Sequence, residues 1–483
     1  MKVRTRFAPS PTGALHLGNI RAAVFNWLFA RHHGGAFVLR LEDTDVERNV
    51  EGAEGALMTD MRWLGLAWDE GPDIGGPLGP YRQSERGALY QGAARRLIDM
   101  GAAYPCFCDE PSGEALAVER SPLEAGFRRY VGHCRNLRSD EREARLSAGD
   151  PFVVRLATPE AGDIVAEDVI RGPISVPSAD MDDFVLLRRD GRPTYNFAVV
   201  VDDIEMDITH VIRGSGHLSN TPKQALLFDA FGHERPVFAH LAQVLDPEGG
   251  KLSKRAGATS VAEYRAQGHL PEALVNYLSL LGWSHPDEQE VLSIDELVSA
   301  ISLERLGASD TAYDPEKLRW VGSQHMAELP LEAVEQGVAP FIDAAPPPFC
   351  EWRGAERSVL VQTLRSRLGS FGEIREHLHF FAFDHDEWVE HRAAVISTPT
   401  APSVLEMLTN QLASVEWQVE ALKTALRDVG RDAGVKGPGL YHPVRWALTG
   451  RIDGPDLAAI LFVIGRDECL GRANAALREV TPS

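Results

Sequence analysis

Apolar residues near the amino terminus follow a strand pattern and then a helix pattern. Residues 3–7 (VRTRF) are predicted to form a short strand. Downstream, apolar side chains recur at the i, i+3, i+4, i+7, i+8 spacing of one helix face, at Ile20, Ala23, Val24, Trp27 and Leu28. Gly34 and Gly35 are typical of a helix end, and residues 36–41 (AFVLRL) of a buried strand. This strand–loop–helix–strand order is a βαβ unit, which predicts a parallel sheet.

The rest of the chain divides into a mixed region and a helical region. Residues 71–83 are rich in Gly and Pro and are predicted to form a loop. Buried strands are predicted at 152–157, 182–189, 194–206 and 208–214, and residues from about 100 to 193 are interpreted as an insertion into the sheet domain. Helices dominate from Val261 onward, for example at 270–283, with a linker at 344–349.

Length, composition and charge limit the classes of protein to which this chain can belong. A chain of 483 residues predicts several domains, and 44% hydrophobic with 25% charged residues is typical of a soluble globular protein. We find no apolar run of membrane-spanning length and no apolar signal core at the start, so we expect a cytoplasmic protein without membrane contact. The formal net charge of −21 argues only weakly against nucleic acid, because a local basic face can bind phosphate on an acidic protein.

The cysteines indicate a metal site before a redox site. Five cysteines in a long chain are too few, and odd in number, for a disulfide framework. Cys106, Cys108 and Cys134 fall within 29 residues of one another, which favours metal binding. Cys350 and Cys469 are expected in the core.

The stretch APSPTGALHLGN, residues 8–19, carries the first candidate chemistry. It follows the first strand and enters a helix N-terminus, where open α/β sheets bind ligands and where backbone N–H groups attract phosphate. Pro9 and Pro11 stiffen the approach, whereas Gly13 and Gly18 allow a ligand to come close to the backbone. His16 can donate a hydrogen bond to phosphate or ribose. Taken alone, the motif is better interpreted as a proline-rich turn with a surface histidine.

The stretch GGKLSKRAG, residues 249–257, is the second candidate for catalytic chemistry. Lys251 and Lys254 are two ammonium groups on a glycine-flanked loop, suited to the charge that develops on a transferring phosphoryl group. Alone it reads as a solvated basic turn. Together, about 235 residues apart, the two stretches are far more specific than either one.

HLGN (16–19) and KLSKR (251–255) resemble the two signature motifs of class I aminoacyl-tRNA synthetases. The flanking RPTYNFAVVVDD, LPEALVNYLSLLGWS and GVKGPGLYHPVRWALTGRIDGPDL resemble bacterial-type glutamyl-tRNA synthetases over essentially the whole chain. The resemblance implies activation of L-glutamate by ATP to glutamyl-adenylate, with release of pyrophosphate. Transfer to the terminal adenosine of tRNA(Glu) follows, and Mg²⁺ accompanies the ATP.

The resemblance also implies a division of the chain. Residues 1–98 and 194–240 would be the halves of a Rossmann-type α/β catalytic domain with a parallel sheet, interrupted by an α+β acceptor-stem-binding insertion at 99–193. Residues 241–328 would form a stem-contact region carrying the KLSKR loop. Residues 329–483 would form an all-α anticodon-binding half of two subdomains, and we expect the whole to be a monomer.

Site residues follow by similarity. Catalytic roles are implied for His16, Lys251 and Lys254. ATP contacts are implied for Gly18, Asn19, Gly216, Val244, Ser253 and Arg255. Glutamate contacts are implied for Arg6, Ala8, Ser10, Glu42, Tyr195 and Arg213. Arginine suits a carboxylate because its fork binds both oxygens, and Glu42 would take the amino group. Asp43 and Asp45 are given no catalytic role.

The three cysteines resemble a zinc knuckle of some family members, with structural Zn²⁺ held by Cys106, Cys108, Tyr130 and Cys134. His133 is the chemically more usual fourth ligand, and a metal-free site is the alternative. Arg367 aligns with an arginine that reads the anticodon in some relatives. A surface arginine is the plain alternative.

Two departures leave alternatives open. Asn19 stands where the class pattern has a second histidine, and Ser215 and Gly216 stand where relatives carry an acidic pair near ATP. The second departure is the one feature that favours a catalytically impaired tRNA-binding paralogue. The enzyme that glutamylates queuosine in tRNA(Asp) lacks the helical half that this chain has, and a glutaminyl enzyme would end in β-barrels.

Overall fold

The computed structural model describes residues 2–13, 15–45, 49–108, 130, 132–250 and 260–481. The chain forms two compact units, one of Met1–Glu263 with Val275–Asp314 and the other of Tyr264–Leu274 with Pro315–Ser483. Among the described helices, none combines the length and the apolar character needed to cross a bilayer.

The strands are β1 (Arg4–Phe7), β2 (Ala36–Leu39), β3 (Ala103–Cys106), β4 (Val153–Leu156), β5 (Asp163–Asp168), β6 (Gly172–Pro177), β7 (Val185–Leu187), β8 (His210–Gly214), β9 (Val237–Leu241), β10 (Val244–Leu245) and β11 (Thr311–Ala312).

The helices are α1 (Leu17–His32), α2 (Ala53–Trp63), α3 (Gly87–Asp99), α4 (Ser139–Ser147), α5 (Tyr195–Glu205), α6 (Thr221–Ala230), α7 (Val261–Ala266), α8 (Pro271–Leu280), α9 (Ile294–Ala300), α10 (Pro315–Glu328), α11 (Leu331–Asp343), α12 (Gly354–Leu364), α13 (Ile374–His377), α14 (His385–Ile396), α15 (Ala401–Ser414), α16 (Val419–Asp432), α17 (Pro438–Thr449), α18 (Leu457–Ile464) and α19 (Arg466–Val480).

The βαβ unit predicted at the amino terminus is confirmed by β1, α1 and β2, whose strands pair in parallel. Gly34 turns the chain after α1 with a φ of +57°, in the left-handed region that glycine tolerates best. Gly35 must also be small, because a Cβ there would clash with the carbonyl oxygen of Val3. The two glycines therefore let the chain return tightly against β1.

Parallel strands place several carboxyl ends at one edge of the sheet. β8 and β9 pair in parallel, and β8 lies beside β1, where the backbone N–H of Arg4 donates to Thr209 Oγ1 at 2.9 Å. The hairpin of β5 and β6 extends this sheet, in the order β6-β5-β9-β8, through a parallel pairing of Asp168 with Phe238. The carboxyl ends of β1 and β8 thus share the edge where such sheets bind ligands.

The strands of the predicted insertion belong to two different sheets. β3, β4 and β7 form a separate antiparallel sheet, as the strand patterns at 152–157 and 182–189 indicated. The hairpin β5–β6 joins the parallel sheet instead. The assignment of functions to the five predicted regions stays a prediction.

The strand predicted at 194–206 is wrong, because this segment forms helix α5. The run of β-branched residues at Val199–Val201 favours a strand locally. However, Phe197 to Asp203 are all buried, and the helix packs against α3 and α6. A helix that is covered all round loses the polar face by which its period is recognised. The correction matters because Tyr195, Asp202 and Asp203 now share one helical face.

The second unit is helical, as predicted. Helices α10 to α19 lie in it, and the segment 344–349 connects α11 with the chain before α12. Its core includes Trp446, which is fully buried and stacks on Trp388 with ring centroids 5.0 Å apart.

Candidate active site

A cavity of about 610 Å³ opens at the carboxyl ends of β1 and β8, beside the first turn of α1. Its lining includes every residue predicted to bind glutamate and three predicted to bind ATP: Arg6, Ala8, Ser10, Gly18, Asn19, Glu42, Tyr195, Arg213 and Gly216. These residues come from β1, α1, α5, β8 and the loops between them. The fold therefore brings together positions that are up to 210 residues apart in sequence.

The other predicted residues of this site lie elsewhere or outside the described residues. His16 is exposed at the N-cap of α1, and its side chain makes no capping hydrogen bond and does not line the cavity. Val244 is half-buried in β10, outside the lining. Lys251, Ser253, Lys254 and Arg255 lie outside the described residues. The backbone of His16 forms a β-bridge with Ser260. The HLGN motif is therefore in contact with the segment that follows the KLSKR motif.

Arg6 is hydrogen-bonded to the buried carboxylate of Asp203. Its Nε and Nη2 donate to Asp203 at 3.2 and 3.4 Å, and Arg40 Nη1 donates to the same carboxylate at 2.6 Å. Arg40 also reaches Glu42 at 3.4 Å. All four side chains are at least nine-tenths buried. Asp203 and Arg40 are thus site residues that sequence reasoning missed, although both lie within the quoted motifs.

Burial and charge set the protonation of these carboxylates. Burial acts to raise the pKa of Asp203, but the cations of Arg6 and Arg40 outweigh it and hold that pKa below its ordinary value. For Glu42 burial prevails, because the attraction of Arg40 and Arg6 offsets only part of its cost, and the pKa of Glu42 is raised to about 7. Glu42 therefore titrates close to neutral pH.

Arg213 supplies a second cation to the cavity. Its Nε donates to His240 Nε2 at 2.9 Å and its Nη2 to Thr221 Oγ1 at 3.0 Å. Its buried Nη1 has no hydrogen-bond partner within the described chain. Burial lowers the pKa of Arg213 to about 10, so the group stays charged at neutral pH.

The stretch RGSGH, residues 213–217, which contains Ser215 and Gly216, contributes more to the cavity than the sequence indicated. His217 lines the cavity, and its Nδ1 lies 2.9 Å from the hydroxyl of Tyr195. Asn220 lines it as well. Nothing lies within 4 Å of the place where a Cβ on Gly216 would stand, so the backbone there leaves room for a Cβ. Two arginines, one carboxylate and a helix N-terminus with exposed Gly18 and Asn19 suit an acidic amino acid beside a phosphate.

A second cluster lies in the insertion. The Sγ atoms of Cys106, Cys108 and Cys134 all lie within 4.8 Å of one another, and the hydroxyl of Tyr130 is 3.3 Å from Cys106 Sγ. Thiolates around one zinc ion stand about 3.8 Å apart, so the three sulfurs fit that ion. His133 is exposed and does not belong to the group, which favours Tyr130 as the fourth ligand.

The remaining cysteines differ from each other. All five are free thiols. Cys469 is buried, as expected, whereas Cys350 is only half-buried, so its placement in the core was wrong. Cys350 lies in the short turn Phe349–Glu351 after the prolines of the 344–349 segment, and no residue of this turn is buried.

Arg367 lies in the helical unit and is exposed. Its guanidinium lies 5.6 Å from the ring centroid of Phe380, and its carbonyl accepts a hydrogen bond from Arg319 at 2.6 Å. The backbone is therefore fixed while the cationic head remains accessible.

Comparisons with known proteins cover both units. Residues 2–320 match the family model "tRNA synthetases class I (E and Q), catalytic domain", and residues 333–477 match "Anticodon binding domain". The chain is 45% identical to a "Glutamate--tRNA ligase" of Desulforudis audaxviator, over 98% of this chain and 96% of the relative. It is 42% identical to one of Moorella thermoacetica, over 99% and 98%. A crystal structure of a glutamate tRNA ligase from Elizabethkingia meningosepticum in complex with its amino acid aligns with a TM-score of 0.84 at 32% identity, covering all of both chains.

Proposed function

The chain belongs to the glutamate–tRNA ligase family of class I tRNA synthetases, and we propose from this premise how its residues perform the reaction. The enzyme is a ligase that activates L-glutamate with ATP and transfers the glutamyl group to tRNA(Glu) for protein synthesis. The observation that carries the proposal is the cavity in which Arg6, Arg213 and Glu42 converge beside the N-terminus of α1.

Glutamate recognition rests on the charges of this cavity. Arg213 offers an unpartnered Nη1, and Arg6 is oriented by Asp203, so the two arginines bind the γ-carboxylate of the substrate. Glu42, when ionised, binds the α-ammonium group. Tyr195 adds a hydroxyl at the rim, while Ala8 and Ser10 form the wall that follows β1. An amide in place of the γ-carboxylate would supply no counter-charge to Arg213, which has no carboxylate partner of its own, and this disfavours glutamine.

Activation needs no protein nucleophile. An α-carboxylate oxygen of glutamate attacks the α-phosphorus of ATP, the new C–O–P linkage forms, and pyrophosphate leaves. Gly18 and Asn19 present the N-terminus of α1 to the phosphates, with Gly216 and Val244 near the nucleoside. His16, Lys251 and Lys254, aided by Ser253 and Arg255, stabilise the charge on the transferring group. Mg²⁺, when bound with ATP, neutralises further phosphate charge.

The insertion and the helical unit serve the tRNA. We assign structural zinc to Cys106, Cys108, Tyr130 and Cys134 in the acceptor-stem-binding insertion, and anticodon reading to Arg367. A monomer in the cytoplasm, where translation takes place, is the proposed form. We also infer that activation needs bound tRNA, which settles the active site before chemistry.

The zinc assignment predicts one metal ion per chain in protein purified without chelator. Cys134→Ser removes one thiolate and should release the ion and lower the thermal midpoint, because structural zinc contributes folding free energy. Cys350→Ser is the matched control and should retain the metal. Metal analysis and thermal melting check both variants. Zinc-free wild-type protein with an unchanged midpoint after chelation would remove the assignment.

The decisive experiment is ATP–pyrophosphate exchange with glutamate, and with glutamine as control, in the presence and absence of tRNA(Glu), followed by tRNA charging. We expect exchange that requires both glutamate and tRNA. Lys254→Ala should reduce exchange steeply while tRNA affinity stays at the wild-type value. Absence of exchange under every condition would favour the impaired tRNA-binding paralogue, and Gly216→Asp would then be the first reversal to make.

A further inference from the structure

Three buried residues lie behind Arg213 and do not line the cavity: Asp168, His240 and Thr221. Asp168 ends β5, His240 lies in β9, and the neighbouring strand β8 carries Arg213, which stands directly opposite His240 in the parallel register. His240 Nδ1 lies 2.6 Å from Asp168 Oδ2, and His240 Nε2 lies 2.9 Å from Arg213 Nε. The strand register thus builds a continuous chain of hydrogen bonds from Asp168 to Arg213.

The direction of each hydrogen bond in this chain is fixed by chemistry. An arginine Nε–H can only donate, so His240 Nε2 accepts and carries no proton. The imidazole proton therefore resides on Nδ1 and is donated to the Asp168 carboxylate. A protonated His240 would set an N–H group against the N–H of Arg213, which is repulsive.

The carboxylate at the far end is rigidly held. Asp168 Oδ1 accepts from the backbone N–H groups of Ile170 and Arg171 at 2.9 and 2.7 Å, and Oδ2 accepts from the backbone N–H and Nδ1 of His240 at 3.0 and 2.6 Å. Although burial opposes ionisation, these donors keep the pKa of Asp168 below its ordinary value. Burial lowers the pKa of His240, Arg213 adds to the effect, and Asp168 opposes it, which agrees with a neutral imidazole.

The arrangement differs from the one that holds Arg6. Arg6 bonds a carboxylate directly, so Asp203 neutralises part of its charge. Arg213 is held through two neutral acceptors, His240 and Thr221, and has no carboxylate within salt-bridge distance in the described chain. Its guanidinium is therefore oriented at two nitrogens by neutral groups, and its buried Nη1 has no hydrogen-bond partner in the described chain. Asp203 and Glu42 attract its charge only from beyond salt-bridge distance.

We propose that Asp168 and His240 are positioning residues for glutamate binding: Asp168 fixes the Nδ1–H tautomer of His240, and His240 in turn holds the Nε edge of Arg213, so that the unpartnered Nη1 faces the substrate γ-carboxylate. This inference rests on the role given to Arg213 above. It adds two residues, neither of which touches substrate, to the determinants of glutamate affinity.

Two substitutions of His240 separate positioning from a merely structural role. The amide oxygen of His240→Gln reaches the place of Nε2 and can accept from Arg213, whereas His240→Asn reaches only the place of Nδ1. In tRNA-dependent exchange by the full-length enzyme, we expect His240→Asn to raise KM for glutamate about tenfold or more and KM for ATP less than about twofold. His240→Gln should stay within about threefold of wild type for both substrates. Equal glutamate KM values in the two variants would overturn the proposal.

A double-mutant cycle tests whether His240 acts through Arg213. Arg213→Lys removes the Nε–H, so adding His240→Asn to it should change KM for glutamate far less than His240→Asn does alone. Fully additive effects would overturn the proposal. If Arg213→Lys and Arg213→Ala leave KM for glutamate unchanged, it is the glutamate-binding role of Arg213 that fails. If the two Arg213 variants raise KM for glutamate and His240→Asn does not, only the positioning role of His240 fails.

A spectroscopic measurement covers the case in which His240→Asn does not fold. In ¹⁵N-histidine spectra of the wild-type enzyme, the His240 signals are identified by their absence from His240→Gln. We expect a neutral ring protonated at Nδ1 at pH 7. A proton on Nε2, or an imidazolium, would contradict the hydrogen-bond chain.

Discussion

Glu42 shows how strongly a single residue depends on its surroundings. Its carboxylate is nine-tenths buried beside Arg40, and the pKa of about 7 means that its charge changes within the physiological range. The substrate ammonium group is attracted only to the ionised form. Residues that look interchangeable in sequence, such as Glu42 and Asp203, therefore hold their protons at different pH values in one site.

We predict that kcat/KM for glutamate falls as pH decreases through about 7. A carboxyl group with a raised pKa becomes neutral below that pH. Protonation of this one group should make kcat/KM fall by about tenfold per pH unit, and kcat/KM reports the pKa of the free enzyme. The charged groups that act most strongly on Glu42 are Arg6, Arg40, Asp202 and Asp203, and Tyr195 and Arg213 interact with it as well. None of these groups has an ordinary pKa in this range. Bound ammonium stabilises the ionised form, so the corresponding limb of kcat should lie at lower pH.

Glu42→Gln is the control for this titration. It should bind glutamate poorly at every pH and should show no limb near pH 7. A limb that persists unchanged in Glu42→Gln would assign the titration to another group.

Among the elements, helix α5 contributes both to the cavity and to the buried charge network beside it. It presents Tyr195 to the cavity and, two turns later, Asp202 and Asp203 to buried arginines. Asp202 accepts from Arg86 at 2.6 Å and Gln83 at 2.8 Å, so the helix is tied to the chain before α3 as well. Charged residues buried this deeply are retained only when paired.

We predict that Asp203→Asn lowers the free energy of unfolding by about 3–5 kcal/mol, because it leaves the buried cations of Arg6 and Arg40 short of a counter-charge. Asp190→Asn is the matched control. Its pair with Arg192 is about half exposed, so the loss should not exceed about 1 kcal/mol. Denaturant unfolding followed by circular dichroism measures both. Equal losses in the two variants would show that the buried network contributes no special stability.

At the scale of the whole molecule, our proposal divides the substrates between the two units. The cavity proposed to bind glutamate and ATP lies in the first unit, and Arg367, proposed to read the anticodon, lies in the second. The comparisons confirm the resemblance to glutamyl-tRNA synthetases and the order of a class I catalytic domain followed by a helical anticodon-binding domain.

This division predicts separable kinetic defects. Arg367→Ala should raise KM for tRNA(Glu) about tenfold and leave KM for glutamate near wild type, because a lost base contact costs about 1–3 kcal/mol. Arg478→Ala, an exposed arginine of α19, is the control and should change neither constant. Charging assays with each substrate varied in turn measure these constants. An unchanged KM for tRNA in Arg367→Ala would remove its anticodon role.

The sequence by itself determined the features that depend on local order along the chain. The period of apolar residues predicted β1, α1 and β2, and the motifs around His16 and Lys251 indicated the family. These inferences succeed because spacing within a helix or a strand is written directly into the sequence. The strand predicted at 194–206 failed for the converse reason, since burial of the seven consecutive residues from Phe197 to Asp203 removes the alternation of polar and apolar faces.

Only the tertiary structure decided which distant residues act together. Nothing in the sequence joins Asp168 to His240, or Arg6 to Asp203, because their contacts follow from strand register and helix packing across 72 and 197 residues. The same holds for the charge state of Glu42, which burial sets and residue type does not. Pairing, burial and local dielectric are properties of the folded chain, and they turn a list of motif residues into a site.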